Sequence, residues 1–351
     1  MRGLSAAIVG VGRTKGRLIT EVEHTEVEHK GSSWLEQIPE WGWEVLASPG
    51  GGPLRCEGGI LQAGDQPIGR IDQGILRFNM PSGDPSTEYY RTIGGAHFHE
   101  RSAVPYAMTA LDTPVYHDYL REFAPDDHDI LVVDVGGGDG RNAVPWLQWG
   151  FRRVVVVDST AAALSRFRTR ILAENRQWIE RLLLIECDAR ALPLADSTAD
   201  RVQAIEALYY LNEDYEKGLA QCRRVMRPRA RLLLADRSHE GALLTRLLYY
   251  GGVRAMLETV RSREMWDGED GHRVRTRCFS HEELHALVAA QGFEIVETGG
   301  ISAFSLLLSF LSKLDRLGPE SEAQLAPTHQ LLISLAHTGC CSRCHVVIAA
   351  K

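Results

Sequence analysis

Apolar positions from residue 129 onward come in short unbroken runs separated by stretches with helical spacing. DILVVDV (129–135), RRVVVVD (152–158), RLLLIECD (181–188), DRVQAIEAL (200–208) and ARLLLAD (230–236) each read as strands. Runs without polar alternation are what strands buried on both faces require. Between them, RNAVPWLQWG (141–150) predicts a short helix with Pro145 near its first turn. Residues 161–180 predict a second helix, with Ala162, Leu164, Phe167, Ile171 and Leu172 on its apolar side, and 214–227 a third. Strands alternating with helices predict an α/β fold, a parallel sheet covered by helices on both faces.

Past Asp236 the alternation breaks. The pattern predicts a helix over 240–263 and a charged loop over 264–278. Ser280 with Glu283 three residues on makes a capping pattern, and that helix leads to strand FEIVET (293–298). Residues 301–335 are helical and apolar in places, and CHVVIAAK (344–351) is a closing strand. Upstream, SPGGGPL (48–54) is a turn, and in GRIDQGILRF (69–78) Ile71, Ile75 and Phe78 alternate around a glycine turn. The expected organisation is a small β-rich module over 1–84, a helical segment over 85–128 and an α/β domain over 129–351, with helical insertions near 240–263 and 300–335.

Charge and cysteines narrow the function. The formal net charge is −7, which argues against a nucleic-acid partner. Seven cysteines, scattered apart from Cys340, Cys341 and Cys344, do not form a secreted disulfide framework. The apolar run over 4–11 is cut off by Arg13 and Lys15 with no cleavage pattern after it. Residues 301–311 contain serines and are too short to span a bilayer. The expectation is a cytoplasmic protein without a membrane span.

The candidate chemistry begins at VVDVGGGDGRN (132–142), a buried strand running into a glycine-rich turn and a helix. Ligands of open α/β sheets sit at that edge, and glycines let the backbone approach them closely. A dinucleotide fingerprint is incomplete here, because the position of its third glycine is Arg141. The segment instead resembles the D/E-x-G-x-G motif of class I S-adenosylmethionine-dependent methyltransferases, as Asp134, Gly136 and Gly138. A carboxylate before the turn suits a cofactor bearing an ammonium group.

The next segments carry the same resemblance in order. Asp158 ends the second strand, where a carboxylate accepts from ribose hydroxyls. Asp188 follows the third, where the family contacts the adenine amino group. IEALYYL (205–211) matches the family's fourth-strand segment, and RRVMRPRARLLLAD (223–236) its helix, turn and fifth strand. The resemblance covers 129–239 plus the last two strands. It implies a Rossmann-like class I methyltransferase sheet, mostly parallel with an antiparallel final strand, and S-adenosyl-L-methionine as cofactor. The cofactor-binding residues it implies are Asp134, Gly136, Gly137, Gly138, Asp158, Ser159, Asp188, Ala189 and Glu206.

EYYRTIGGAHFHERSAVPYAM (88–108) precedes the first strand of that domain, and in related methyltransferases this segment folds over the cofactor. Arg101 is therefore a candidate partner for the methionine carboxylate, and a tyrosine for the sulfonium. His99, or His97 beside it, is a candidate base toward an acceptor hydroxyl. His239, after the fifth strand, is a second candidate base. Tyr209 and Tyr210 are candidates for shaping the acceptor pocket.

Two metal patterns fall short. Residues 44–78 resemble the zinc-ribbon-like domain of tRNA-methyltransferase activator proteins, but Ser48-Pro49 stands where that domain has Cys-Pro, and Cys56 is the only cysteine nearby. Cys344, Val346 and Ile348 alternate as inward residues of the closing strand. No metal is expected.

The function expected is methyl transfer to a small, fairly apolar acceptor in biosynthesis, most simply on oxygen. RNA or protein methylation is one alternative, and a non-catalytic cofactor-binding scaffold or regulator is another. The apolar insertions suit either a roof over the acceptor or a homodimer interface.

Overall fold

The unbroken apolar runs lie side by side in one sheet. The protein is described from a computed structural model covering residues 38–49, 51–80, 83–90, 105–262, 264–269, 272–318, 321–337 and 341–351. In chain order the elements are α1 (Glu40–Val45), β1 (Arg55–Glu57), β2 (Ile60–Ala63), β3 (Gln66–Asp72), β4 (Ile75–Phe78), α2 (Pro85–Tyr89), α3 (Met108–Phe123), β5 (Leu131–Val135) and α4 (Val144–Gln148). There follow β6 (Arg153–Asp158), α5 (Ala161–Glu174), β7 (Leu182–Glu186), β8 (Ala199–Ile205), α6 (Tyr215–Val225), β9 (Met226–Arg237), α7 (His239–Tyr249) and α8 (Gly252–Ser262). The chain closes with β10 (Glu264–Glu269), β11 (His272–Arg277), α9 (His281–Ala290), β12 (Glu294–Ser302), α10 (Phe304–Lys313), α11 (Leu325–Ala336) and β13 (Ser342–Ala350).

The main sheet has 11 strands in the order β1-β2-β3-β4-β7-β6-β5-β8-β9-β13-β12. Strands β7, β6, β5, β8 and β9 are parallel, and β13 inserts antiparallel between β9 and β12. This is the mostly parallel Rossmann-like sheet of the class I methyltransferases, with its antiparallel final strand. The strand order reverses between β5 and β8, which makes the edge beyond their C-terminal ends the ligand crevice of such a sheet.

The core lies on both faces. Val133, Val155, Leu183 and Leu232 join one apolar cluster; their chain neighbours Val132, Val154, Leu182 and Leu233 join the other. Alternate residues of a strand point to opposite faces, so the absence of polar positions in these runs follows from two covered faces. Truncating such a side chain, as in Leu183→Ala, costs about 2–5 kcal/mol.

The strands of the β-rich segment extend the sheet. β1 to β4 form an antiparallel meander, and β4 then pairs parallel to β7 through Ile75 with Leu184 and Leu76 with Ile185. Cys56, Leu61 and Phe78 share the apolar cluster of Leu183 and Ile185. The β3–β4 turn runs through Gln73 and Gly74, both with positive φ, at 50° and 74°, the twist that a two-residue hairpin needs.

Three expectations are corrected. The helix expected over 240–263 is two, α7 and α8, broken where Gly251 and Gly252 take φ of 120° and 66°, a backbone that residues with a Cβ avoid. The helix expected over 161–180 ends at Glu174, and Arg176–Arg181 is a 3-10 turn. The charged loop expected over 264–278 is the hairpin β10–β11. Its inward residues include Met265, Val274 and Thr276, all buried; they sit among charged positions, which hide the two-residue period. Ser280 caps α9 as expected, its hydroxyl accepting from the Glu283 N–H at 3.2 Å. No helix among the described residues is long and apolar enough to cross a membrane.

Candidate functional site

A cavity of about 1300 Å³ opens at the C-terminal ends of β5, β6, β7 and β8. Its floor is the glycine loop after β5. Gly136 and Gly137 donate to the Val157 carbonyl at 2.8 and 3.1 Å, tying the loop to the end of β6. A Cβ on Gly136 would lie 2.3 Å from that of Ala207, which follows β8. At Gly138, by contrast, a Cβ would meet only Asp158 Oδ2, at 3.8 Å. The loop is wedged between two strand ends, with Gly138 open toward the cavity. Below it, the buried Trp146 indole donates to Gln203 Oε1 at 2.8 Å, and Gln203 donates to the Asn142 carbonyl at 3.2 Å.

Asp158 lines this cavity with Ser159 beside it. Its Oδ2 accepts from the Gly138 N–H at 2.9 Å and its Oδ1 from the Thr160 N–H at 2.8 Å. Burial nonetheless pushes the carboxyl up to about 6, against the pull of those N–H groups. Asp134 is placed differently. It is fully buried and does not line the cavity, and a Cβ on Gly137 would sit 2.6 Å from its Oδ2. Burial pushes it up to about 7. Its carboxyl therefore supports the loop from beneath, and its Oδ2 has no hydrogen-bond partner among the described residues.

At the end of β7, Asp188 and Ala189 line the cavity. Asp188 is gripped by Arg190, whose Nε lies 2.9 Å from each carboxylate oxygen. The same guanidinium reaches Asp84 at 2.9 Å and Asp214 at 3.0 Å. Hydrogen bonding to Asp188 is the largest influence holding the Arg190 pKa above its ordinary value. One cation thus gathers three carboxylates from three chain segments and leaves this end of the cavity acidic. The sequence reading missed Arg190, Asp84 and Asp214, because nothing local marks their convergence.

Glu206, Arg343 and Arg141, which also line the cavity, belong to a largely buried ionic network. Glu206 has a φ of 54° and accepts from Tyr116 Oη at 2.7 Å and from an Arg343 nitrogen at 2.6 Å. Arg343 also binds Asp112 at 2.6 Å, and Arg141 stands 4.0 Å from Glu206. Burial alone would raise the Glu206 pKa. The charges of Arg343 and Arg141, with the hydrogen bonds from Arg343 and Tyr116, outweigh it and hold the group at about 2. Arg141 lines the cavity with a quarter of its side chain exposed.

The remaining lining is aromatic. Seven of the chain's ten tyrosines face this one cavity: Tyr89, Tyr90, Tyr106, Tyr209, Tyr210, Tyr249 and Tyr250. Tyr90 stands edge-on to Tyr210 at 5.0 Å, and Tyr209 and Tyr210 lie 4.5 Å apart. Arg237 stacks over Tyr209 at 4.7 Å and donates to both Asp267 oxygens, at 3.0 and 2.9 Å. Tyr210 Oη donates to Asp267 at 3.0 Å. Asp267 belongs to β10, so these bonds pin the β10–β11 hairpin against the cavity wall. Met265, Thr245 and Leu306 complete this side.

His239 does not line the cavity, although Arg237 and Gly241 on either side of it do. His97, His99 and Arg101 lie outside the described residues. Cys344 is buried in β13. Asp118, Glu122 and His337 bring three donors of metal-ligand type within 4.8 Å of one another, and none of them lines the cavity.

A family described as a methyltransferase domain matches residues 132–229. The chain is 32% identical over 200 residues to the ubiquinone/menaquinone biosynthesis C-methyltransferase UbiE of Acidiphilium cryptum (strain JF-5), covering 54% of this chain and 79% of that protein. It is 32% identical over 117 residues to the malonyl-[acyl-carrier protein] O-methyltransferase of Xylella fastidiosa (strain M23), covering 33% of this chain and 36% of that protein. Among solved structures, an S-adenosylmethionine-dependent methyltransferase from Mesorhizobium loti aligns with 69% of this chain and 100% of its own, at 15% identity and a TM-score of 0.45.

Proposed function

Because this chain belongs to the class I S-adenosylmethionine-dependent methyltransferases, we propose that it methylates a planar, fairly apolar small molecule, on a hydroxyl oxygen. The tyrosine lining of the cavity carries this reading. Tyrosines offer flat apolar faces to a ring and hydroxyls to its polar edge. The volume of about 1300 Å³ also exceeds the range of about 300–1,000 Å³ that holds one drug-sized ligand, leaving room for an acceptor beside a cofactor.

When bound, S-adenosylmethionine supplies an activated methyl group on a sulfonium. The residues present suit it. The open face at Gly138 and the Asp158 carboxylate provide a cradle and an acceptor for ribose hydroxyls, and Asp188 and Ala189 take the adenine end. Arg141, exposed in the cavity beside the Glu206 network, is proposed to pair with the methionine carboxylate together with Arg101. The chain's remaining task is to hold the acceptor in line and keep water out. A hydroxyl acceptor must lose its proton, and His99 is proposed to take it. His239, outside the cavity lining, is the weaker candidate.

A second reading places the methyl group on ring carbon, favoured by the similarity to a protein named as a C-methyltransferase. The deciding experiment incubates the purified chain with the cofactor and a panel of hydroxylated aromatics and quinols. S-adenosylhomocysteine release reports turnover, and NMR locates the methyl group. Turnover with tRNA or peptide alone would sink the small-molecule reading. Cofactor binding with no turnover on any acceptor would favour a scaffold or regulator.

A further inference from the structure

Two helices carry apolar stripes that nothing among the described residues covers. On α8, Val253, Leu257 and Val260 recur at helical spacing; on α10 and the residue after it, Phe304, Leu307, Leu311 and Leu314 do the same. These seven side chains are 36–60% exposed. The opposite faces are buried, through Ala255 and Thr259 on α8 and through Ser305, Leu306 and Ser309 on α10. Both helices touch α7. Isolated exposed aliphatics are ordinary; two continuous stripes on helices packed against the same third helix mark a contact surface.

We infer that these stripes dock on the surface of an anionic lipid bilayer, lying in the headgroup layer without crossing it. Charge identifies the occupant. Exposed Arg254, Arg261, Lys313 and Arg316 rim the stripes, against the acids Glu258 and Asp315, in a chain whose net charge is −7. Amphipathic helices with basic borders partition to such interfaces. The attraction is local, because charges elsewhere on the protein are screened beyond about 10 Å at 0.1 M salt. A second copy of the chain would instead bring the same cationic rim to both sides of the contact. The cavity supplies the other argument. Leu306 and Ser309, on the inner face of α10, and Tyr249, at the end of α7, line it. Docked α10 therefore forms part of the acceptor wall, and a lipid-soluble acceptor would pass from bilayer to site along that one element. The docking stands apart from the acceptor reading, because its test requires no turnover.

The full chain is sedimented with phosphatidylcholine vesicles with and without phosphatidylglycerol. The expected result is stronger partition onto the anionic vesicles, weakened by salt. Val253→Glu with Leu257→Glu, and separately Leu307→Glu with Leu311→Glu, should each lower it by about tenfold or more. These sites are exposed, so the variants should keep the wild-type melting temperature and cofactor affinity. Failure of the wild-type chain to bind either vesicle would overturn the proposal. So would undiminished binding by both variants, or self-association in analytical ultracentrifugation that the variants abolish in a chain that binds no vesicle.

Discussion

Replacing Asp158 by alanine tests the cofactor site at the carboxylate that ends β6. The carboxylate holds two backbone N–H groups, at 2.9 and 2.8 Å, and lines the cavity. A charge-assisted hydrogen bond to a bound cofactor is worth about 1.5–3 kcal/mol. The variant should therefore bind S-adenosylmethionine and S-adenosylhomocysteine about 10- to 150-fold more weakly by calorimetric titration. Acid should mimic the mutation. Burial raises the folded-state pKa from 3.8 to about 6, so the carboxylate is protonated, and its acceptor capacity lost, as the pH falls through that value. Wild-type affinity should drop by about tenfold for each pH unit below it, until the whole interaction is gone, whereas Asp158→Ala should lose this dependence. Stability runs the other way. A raised acid pKa favours the folded state below about 3.8, and that contribution disappears as the pH rises through about 6. Weaker binding in acid is thus not a by-product of unfolding through this group. Wild-type affinity in the alanine variant, with an unchanged pH profile, would refute the assignment.

Other expectations follow from the same geometry. Gly136→Ala sets a Cβ 2.3 Å from Ala207 Cβ at a φ of 75°, so the chain should melt at lower temperature and lose cofactor affinity in the same titration. Arg343→Met leaves Asp112 and Glu206 without their shared cation and should cost about 3–5 kcal/mol in urea denaturation at neutral pH. Because Arg343 helps hold Glu206 at about 2, that deficit should shrink in acid as the orphaned carboxylates protonate. Tyr210→Ala removes both a ring from the acceptor wall and the hydroxyl on Asp267; it should raise the acceptor KM while leaving cofactor affinity intact. His99→Ala should keep cofactor affinity and lose turnover, and His239→Ala should change neither; a collapse of turnover in the His239 variant would move the base role there.

Much of the fold was readable locally. Continuous apolar runs identified the central strands, since a strand covered on both faces has no position for a polar side chain. The glycine loop was legible because backbone with positive φ, wedged between strand ends, selects residues without a Cβ. The hairpin β10–β11 was not, because its buried positions Met265, Val274 and Thr276 include a polar one, the apolar Trp266 is exposed, and charged residues stand between them. The break between α7 and α8 lies at Gly251-Gly252, but apolar spacing on either side ran through it. The placement of Asp134 beneath the loop, away from the cavity, depended on side-chain packing that spacing does not encode.

Sequence by itself determined the parallel core, the turn that cradles a ligand and the acidic residue at the end of β6, because each follows from a period or a backbone constraint within a few residues. Tertiary structure alone decided how the β-rich segment joins the sheet through β4 and β7, which carboxylates Arg190 and Arg343 bind, and that seven tyrosines face one cavity. The physical reason is distance along the chain. Arg343 meets Glu206 across 137 residues and Asp112 across 231, and a charge far from its partner in sequence carries no local sign of which carboxylate will neutralise it once both are buried.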